Sequence, residues 1–197
     1  MNLTFLGWSK MEIKSFGQIV LLCSAVMTLA ACQSLDTARL KKIQETPSTQ
    51  ANAKLYCSGV EVCEFERLGP TFIVKERNHR INRDAMEQGI VRINLQAINA
   101  NKVYLSVKPK QHEVVIRFYP VSKDRAEKLY VIHKFKANQK YTFNMYRKRN
   151  NVSGSLLNVS APEPLCVDLK EGQKVIRRFC KPYNVLSGLG EFTEKKL

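Results

Sequence analysis

Histidines are the side chains in this sequence best suited to acid–base chemistry, and there are three of them. His79 and His112 lie in segments that predict turns, where an exposed surface role is expected rather than ligation of a metal. His133 lies beside Val131 and Phe135 on the apolar side of a predicted strand, which predicts a buried, hydrogen-bonded ring. The chain contains no H-E-x-x-H, G-x-S-x-G or glycine-rich phosphate loop. We therefore predict no catalytic residue, no metal site and no cofactor.

Positive charge is the strongest chemical bias of the chain. It has 32 Lys and Arg against 17 Asp and Glu, a formal net charge of +15, and residues 101–149 contain 13 of the basic residues and three of the acidic ones. Such a local excess attracts polyanions. Tyrosines share the polar side of the predicted strands with several of these cations, a combination that suits sugars and anionic groups. The residues predicted to bind an anionic ligand are Tyr104, Arg117, Tyr119, Tyr130, Lys134, Lys136 and Tyr146.

Within this predicted surface, Arg117, Lys134 and Lys136 supply the central charges. An ordinary sheet surface explains the same pattern, because tyrosine is a common strand residue and lysines keep strand edges soluble. A second sheet packed on this side would also cover it.

Strands are the elements that must position these side chains, because apolar and polar residues alternate between residues 91 and 146. The apolar positions are Val91, Ile93, Leu95, Val103, Leu105, Val107, Val114, Ile116, Phe118, Leu129, Val131, His133, Phe135, Tyr141, Phe143 and Met145. Further strands are predicted near 72–76, 155–160, 164–169 and 174–179, and a short helix at 83–88. Seven to nine short strands without a long helical stretch predict an all-β, antiparallel β-sandwich-like domain.

The first 31 residues have the pattern of a secretory signal peptide. Lys10 and Lys14 precede an apolar run over 19–31, which ends in small residues. The run is shorter than the ~20 apolar residues that a transmembrane helix needs. Translation from Met11 would give a leader of more usual length.

Leu29, Ala30, Ala31 and Cys32 close this apolar run, and together they resemble the lipobox of bacterial lipoproteins. The resemblance implies that Cys32 becomes the first mature residue and carries a thioether-linked diacylglycerol and an N-acyl chain. Several acyl chains anchor a protein stably, whereas one chain binds only marginally. Gln33 follows the cysteine where inner-membrane members of this class usually have Asp, which implies the periplasmic face of the outer membrane. The resemblance covers four residues, and no specific family is identified for the folded domain.

The chain therefore divides into a lipoprotein signal peptide (1–31), a flexible tether (32–54) and a β-sandwich-like domain (55–197). Removal of the leader leaves 30 basic and 16 acidic residues, a net charge of +14. Within the tether, a turn or two of helix is predicted at 34–44, and residues 45–53 are predicted to be extended and mobile.

Four cysteines remain after the leader and Cys32 are set aside, an even number suited to disulfides in an oxidising compartment. They are Cys57, Cys63, Cys166 and Cys180. Three pairings are possible. We favour Cys57–Cys63 and Cys166–Cys180, because a hairpin centred near Gln173 would place Cys166 opposite Cys180. A four-cysteine zinc site is disfavoured, since five and thirteen residues separate the members of each pair.

These patterns together favour a non-enzymatic lipoprotein, anchored at the outer membrane, that engages an anionic envelope glycan or lipid or an acidic partner protein. Nucleic acid would suit the charge, but the leader directs the chain away from it. An accessory subunit of an envelope secretion or pilus assembly is one alternative, and it would use sheet edges. An envelope hydrolase of unrecognised type is the other, favoured only if His79 or His112 meets a carboxylate.

Overall fold

The computed structural model describes residues 46–93, 103–147, 164–182 and 190–197, which all belong to one compact unit, Arg39–Leu197. Within these ranges the chain forms two short helices and eleven strands. The helices are α1 (Pro47–Gln50) and α2 (Arg83–Glu87). The strands are β1 (Ala53–Ser58), β2 (Val62–Leu68), β3 (Thr71–Phe72), β4 (Val91–Ile93), β5 (Val103–Val107), β6 (Gln111–Tyr119), β7 (Glu127–Lys134), β8 (Lys140–Arg147), β9 (Leu165–Glu171), β10 (Lys174–Lys181) and β11 (Thr193–Lys195).

Several predictions lie outside the described residues. They are the signal peptide, the lipobox with Cys32, the first part of the tether, the continuation of the strand through Leu95, and the strand at 155–160.

Two sheets make up the domain. The large sheet has seven strands in the order β11-β10-β9-β8-β1-β5-β4, and the small sheet has four in the order β3-β2-β6-β7. Neighbouring strands are antiparallel except β1 and β8, which run parallel. The predicted all-β, sandwich-like architecture is confirmed, with this one parallel pair in it.

The core lies between the sheets. Phe65 of the small sheet meets Phe143 of the large sheet edge to face, with ring centroids 6.4 Å apart. The apolar positions predicted on β6, β7 and β8 are buried in this core except His133, which is half-buried, and on β6 the alternate positions Val115, Arg117 and Tyr119 are buried as well. The predicted positions that are buried are Val114, Ile116, Phe118, Leu129, Val131, Tyr141, Phe143 and Met145. Their burial is the main stabilising term, at ~25 cal/mol per Å² of apolar surface.

The beginning of the domain differs from the prediction. Residues 45–53 were predicted to be extended, but Pro47–Gln50 form one helical turn. Pro47 suits the first helical position, and the Thr46 N–H donates to Thr49 Oγ1 at 2.8 Å, which stabilises the start of the turn. Strands β1 and β2 were not predicted, although β1 alternates between buried and half-buried residues. The strand predicted at 72–76 ends at Phe72, and the chain then turns so that the Lys75 N–H donates to the Arg80 carbonyl. The helix predicted at 83–88 is confirmed as α2.

Both predicted disulfides are present. Cys57–Cys63 joins β1 to β2 and so links the two sheets at a tight connection. That connection needs Gly59, whose φ is +94° and whose position would bring a Cβ within 1.9 Å of the Met145 carbonyl oxygen. Cys166 and Cys180 are direct partners in the β9–β10 ladder, as the predicted hairpin requires.

Side chains of the large sheet hold the β7 edge of the small sheet. Arg177 of β10 donates from Nη1 to the Ile132 carbonyl at 2.7 Å and from Nε and Nη2 to Glu194 of β11. Lys181, also on β10, donates to Glu127 at the start of β7 at 2.6 Å. The β7 edge therefore faces β10 and is fixed to it.

Candidate anion-binding surface

The seven residues predicted to form one anion-binding surface lie in three places. Tyr104 and Tyr146 are on the outer face of the large sheet, in β5 and β8. Arg117 and Tyr119 are in β6 of the small sheet, beneath the 73–81 segment. Tyr130, Lys134 and Lys136 are in β7 or just after it. Because the outer faces of the two sheets point away from each other, the seven residues cannot act as one surface.

Arg117 is fully buried, so the prediction that it is an exposed central charge is wrong. Its Nη2 donates to the Val74 carbonyl at 3.0 Å, because the 73–81 segment folds over this part of the small sheet. Three carboxylates surround the guanidinium at 3.5–3.9 Å, those of Glu64, Glu66 and Glu76. Its charge is therefore balanced inside the protein and does not meet a ligand.

Tyr119 is buried in the same cluster, which also corrects the prediction that it is exposed. Its hydroxyl donates to Glu64 Oε1 at 2.5 Å. Burial, and then this hydrogen bond, raise the pKa of Tyr119. On the exposed side of the cluster, Lys128 donates to Glu76 at 3.1 Å and holds the pKa of that carboxyl below its ordinary value.

His79 does meet a carboxylate. Its Nδ1 lies 2.8 Å from Glu64 Oε1, and its ring packs edge-on against Tyr119. An ionised carboxylate only accepts hydrogen bonds, so a hydrogen bond to it requires the proton on Nδ1, and in a neutral ring with that tautomer Nε2 is an acceptor. The backbone of His79 is left-handed, with φ of 51°, which is uncommon for a residue other than glycine. The geometric condition set for the hydrolase alternative is therefore met at His79.

The other two histidines contact a backbone carbonyl oxygen and aromatic rings. His112 Nε2 lies 2.9 Å from the Lys108 carbonyl oxygen. His133 is half-buried rather than buried, and its ring packs against Phe135 and Tyr141 at 4.9 and 5.5 Å. Burial, and then the positive charge of Arg177, lower the pKa of His133.

Tyr104 and Tyr146 are engaged within the large sheet. Tyr104 stacks on Tyr56 with 5.0 Å between ring centroids, and Lys140 Nζ lies 4.8 Å from the centre of the Tyr56 ring. Tyr146 donates to Asp168 at 3.3 Å, while Arg178 forms a two-pronged pair with Asp168 at 2.7 and 2.9 Å. These contacts occupy one face of the Tyr104 ring and the hydroxyl of Tyr146, which a ligand would use.

Tyr130 and Lys134 are exposed as predicted. Tyr130 is 60% exposed, and Ile132, which points to the same side of β7, is 59% exposed. Lys136 is also exposed, but its Nζ forms an ion pair with Glu171 at 3.0 Å. Of the predicted surface, Tyr130 and Lys134 are thus the residues that an external ligand can reach without breaking an internal contact.

Two lysines from another turn join Lys134. Lys108 and Lys110 lie in the β5–β6 turn, and the Phe135 N–H donates to the Lys110 carbonyl at 3.1 Å, which brings this turn against the end of β7. All three lysines are exposed, and no carboxylate of the described residues forms an ion pair with them. We call Tyr130, Ile132, Lys134, Lys108 and Lys110 the β7 surface. Sequence reasoning missed Lys108 and Lys110 as site residues, although their turn was predicted.

Comparison with protein families, curated proteins and solved structures finds no significant match. In the part of the chain that the structure describes, no group of three or more His, Cys, Asp or Glu side chains is placed to hold a metal ion. The two described helices are both too short to span a membrane.

Proposed function

We propose that this protein is a non-enzymatic lipoprotein of the outer membrane, held at the periplasmic face by acyl chains on Cys32. Its β-sandwich-like domain binds an anionic envelope component or an acidic partner protein through the β7 surface. The observation that carries the binding role is the group of three exposed lysines, none of which forms an ion pair with a carboxylate of the described residues, beside the exposed ring of Tyr130.

The anchoring part of the proposal depends on Cys32. Cys32→Ser should abolish incorporation of a labelled fatty acid and should release the protein from membranes or trap it as the precursor. Membrane fractionation with labelled palmitate measures both effects. A Cys32→Ser variant that stays membrane-bound and unmodified would contradict the lipobox interpretation.

The binding part depends on local charge. Exposed charges act over about 8 Å at physiological ionic strength, so binding to lipopolysaccharide should weaken as salt is added. Lys110→Glu with Lys134→Glu should lower the affinity at low salt by about tenfold or more, at ~1 kcal/mol per cation near an anionic surface. The matched control is Lys174→Glu with Lys195→Glu, which makes the same change of net charge on exposed residues of the large sheet.

The two pairs of variants separate a local surface from general attraction. The control should bind as wild type does. If both double variants lose the same affinity for lipopolysaccharide, net charge alone is responsible for binding. If neither variant loses affinity, the proposal is contradicted.

A hydrolase is the second candidate, favoured by the His79–Glu64 contact. A carboxylate on Nδ1 orients a histidine so that Nε2 can take a proton. Within the described residues, no Ser, Thr or Cys side chain is hydrogen-bonded to His79, so the base would have to activate water. A panel of ester and amide substrates tests this function. Turnover by the wild type that is lost in both His79→Ala and Glu64→Gln would establish it over the binding role.

An accessory subunit of a secretion or pilus assembly would use sheet edges. In the described ranges, β3, β4 and β11 contribute edge strands of two or three residues, and Arg177 occupies the Ile132 carbonyl at the β7 edge. This alternative would be favoured if the affinity for a partner is unchanged by added salt and by the lysine substitutions but is lost when edge residues are changed.

A further inference from the structure

The β7 surface combines exposed apolar side chains with its lysines. Tyr130 and Ile132 are two residues apart on the same side of one strand, which places their Cα atoms ~7 Å apart. Both are more than half exposed. Lys134 continues the same line, and Lys108 and Lys110 lie beside its end.

The strand that presents these side chains is held on both sides. β6 pairs with it over eight residues, and Arg177 fixes the Ile132 carbonyl from the large sheet. Exposure of Tyr130 and Ile132 is therefore a property of a fixed sheet and not of a loop that could fold back over them.

The chemistry of this surface narrows the class of ligand. Lysines suit phosphate and carboxylate groups, and tyrosine suits the boundary between headgroups and acyl chains. An exposed isoleucine gains nothing from a sugar hydroxyl or a phosphate, but it gains from the apolar side of that boundary. Two apolar side chains are also too few for a specific protein interface, which buries ~800 Å² on each partner.

We propose that the β7 surface docks onto a bilayer that contains anionic phospholipids, with Lys108, Lys110 and Lys134 at the headgroups and with Tyr130 and Ile132 at the headgroup–acyl boundary. This inference rests on the proposed anion-binding function and specifies its ligand. The docking would hold the domain against the membrane independently of the lipid anchor.

Co-sedimentation with vesicles tests the docking without the anchor. The protein is the mature chain, 32–197, with Cys32→Ser, and the vesicles are phosphatidylcholine alone or with one quarter phosphatidylglycerol. Binding is expected only to the anionic vesicles, and Lys110→Glu with Lys134→Glu should weaken it by about tenfold or more. Ile132→Ser should weaken it by about fivefold. Val121→Ser is the matched control, because Val121 is an exposed aliphatic residue in the β6–β7 turn, at the other end of β7 from Lys134.

A fluorescence measurement reports the contact directly. The one tryptophan of the chain is Trp8, within the leader, so Ile132→Trp gives the mature chain a single tryptophan, whose emission can be excited apart from that of the tyrosines. Its emission should shift to shorter wavelength when anionic vesicles are added, while the emission of Val121→Trp should not change.

The outcomes distinguish this inference from the proposed function. Wild type that binds lipopolysaccharide but not anionic vesicles would show that the bilayer docking is wrong. The docking is also wrong if Ile132→Ser binds vesicles as wild type does and the emission of Ile132→Trp stays constant. In both cases the anion-binding function stands. If wild type binds neither lipopolysaccharide nor vesicles, the bilayer docking and the binding of an anionic envelope lipid are both wrong, and an acidic partner protein is the form of the proposed function that is left. Melting curves confirm that each variant is folded, which is expected since Lys110, Val121, Ile132 and Lys134 are all exposed.

Discussion

The buried charge of Arg117 holds together parts of the chain that are distant in sequence. Removing a guanidinium from water is costly unless hydrogen bonds and opposite charges replace the water. Here the Val74 carbonyl supplies the hydrogen bond, and Glu64, Glu66 and Glu76 supply the negative charge. Because Val74 and Glu76 belong to the segment that covers the sheet, the arginine ties this segment to β6.

Arg117→Met should lower the free energy of unfolding by about 3 kcal/mol, because it removes the buried cation among these carboxylates and leaves Glu66 and Glu76 with Lys128 alone. Urea denaturation at pH 7 measures the change. The control is Lys123→Met, which removes an exposed cation from the β6–β7 turn and should alter stability by less than ~0.5 kcal/mol. A loss below ~1 kcal/mol in Arg117→Met would show that the cluster is balanced without the arginine.

His133 gives the domain a defined dependence on pH. Burial among aromatic rings, and then the charge of Arg177, lower its pKa from the ordinary value of 6.5. The unfolded chain therefore binds a proton more readily than the folded one, so stability is present above pH 6.5 and is lost as the pH falls below it. The urea midpoint of wild type should fall between pH 7.5 and 5.5 by more than that of His133→Gln. If the urea midpoints of the two proteins fall by the same amount, His133 does not cause the pH dependence of stability.

At the scale of elements, the two disulfides close loops of different length. Cys166–Cys180 closes the β9–β10 hairpin, and Cys57–Cys63 closes the shorter connection between the sheets. In the chain-entropy model, the first stabilises by ~3 kcal/mol and the second by ~2 kcal/mol.

Replacing Cys166 and Cys180 by Ser should therefore cost about 3 kcal/mol, and replacing Cys57 and Cys63 should cost at least about 2 kcal/mol. Urea unfolding of the two double variants, each compared with wild type, measures these values. Non-reducing peptide mapping of wild type supplies the control, since a peptide joining Cys57 or Cys63 to Cys166 or Cys180 would contradict the pairing itself.

Alternation along single strands was enough to predict the core faces of β6, β7 and β8, and the predicted chain reversal near Gln173 was enough to pair Cys166 with Cys180. Alternation could not predict which sheet each strand joins, and for that reason Tyr104 and Tyr146 were placed beside Tyr130. It also assigns a side chain to one side of a sheet without saying what covers that side. Arg117 has the parity predicted for it, and the 73–81 segment, distant in sequence, buries it.

At the scale of the whole molecule, the basic stretch 101–149 is distributed over both sheets. β8 carries Lys140 and Arg147 on the large sheet, and β6 and β7 carry Arg117, Lys128 and Lys134 on the small one. Internal partners then reduce what a ligand can meet, since Arg117 and Lys128 face glutamates and Lys136 faces Glu171. The net charge of the chain therefore overstates the charge of any single face, and among the described residues the lysines at the end of β7 form one group that keeps its charge exposed.

The place of β1 in the large sheet has a mechanical consequence. It is the first strand of the domain, yet it lies between β5 and β8, with hydrogen-bonded ladders on both sides. Under the proposed anchoring, any pull from the membrane enters the domain through β1 and along the strand direction. The hydrogen bonds of both ladders run across that direction, so they are loaded in shear together rather than opened one after another. A domain held in this way should resist extraction from its amino-terminal end, whereas the same force applied at β11, an edge strand, would peel it from β10 one pair at a time.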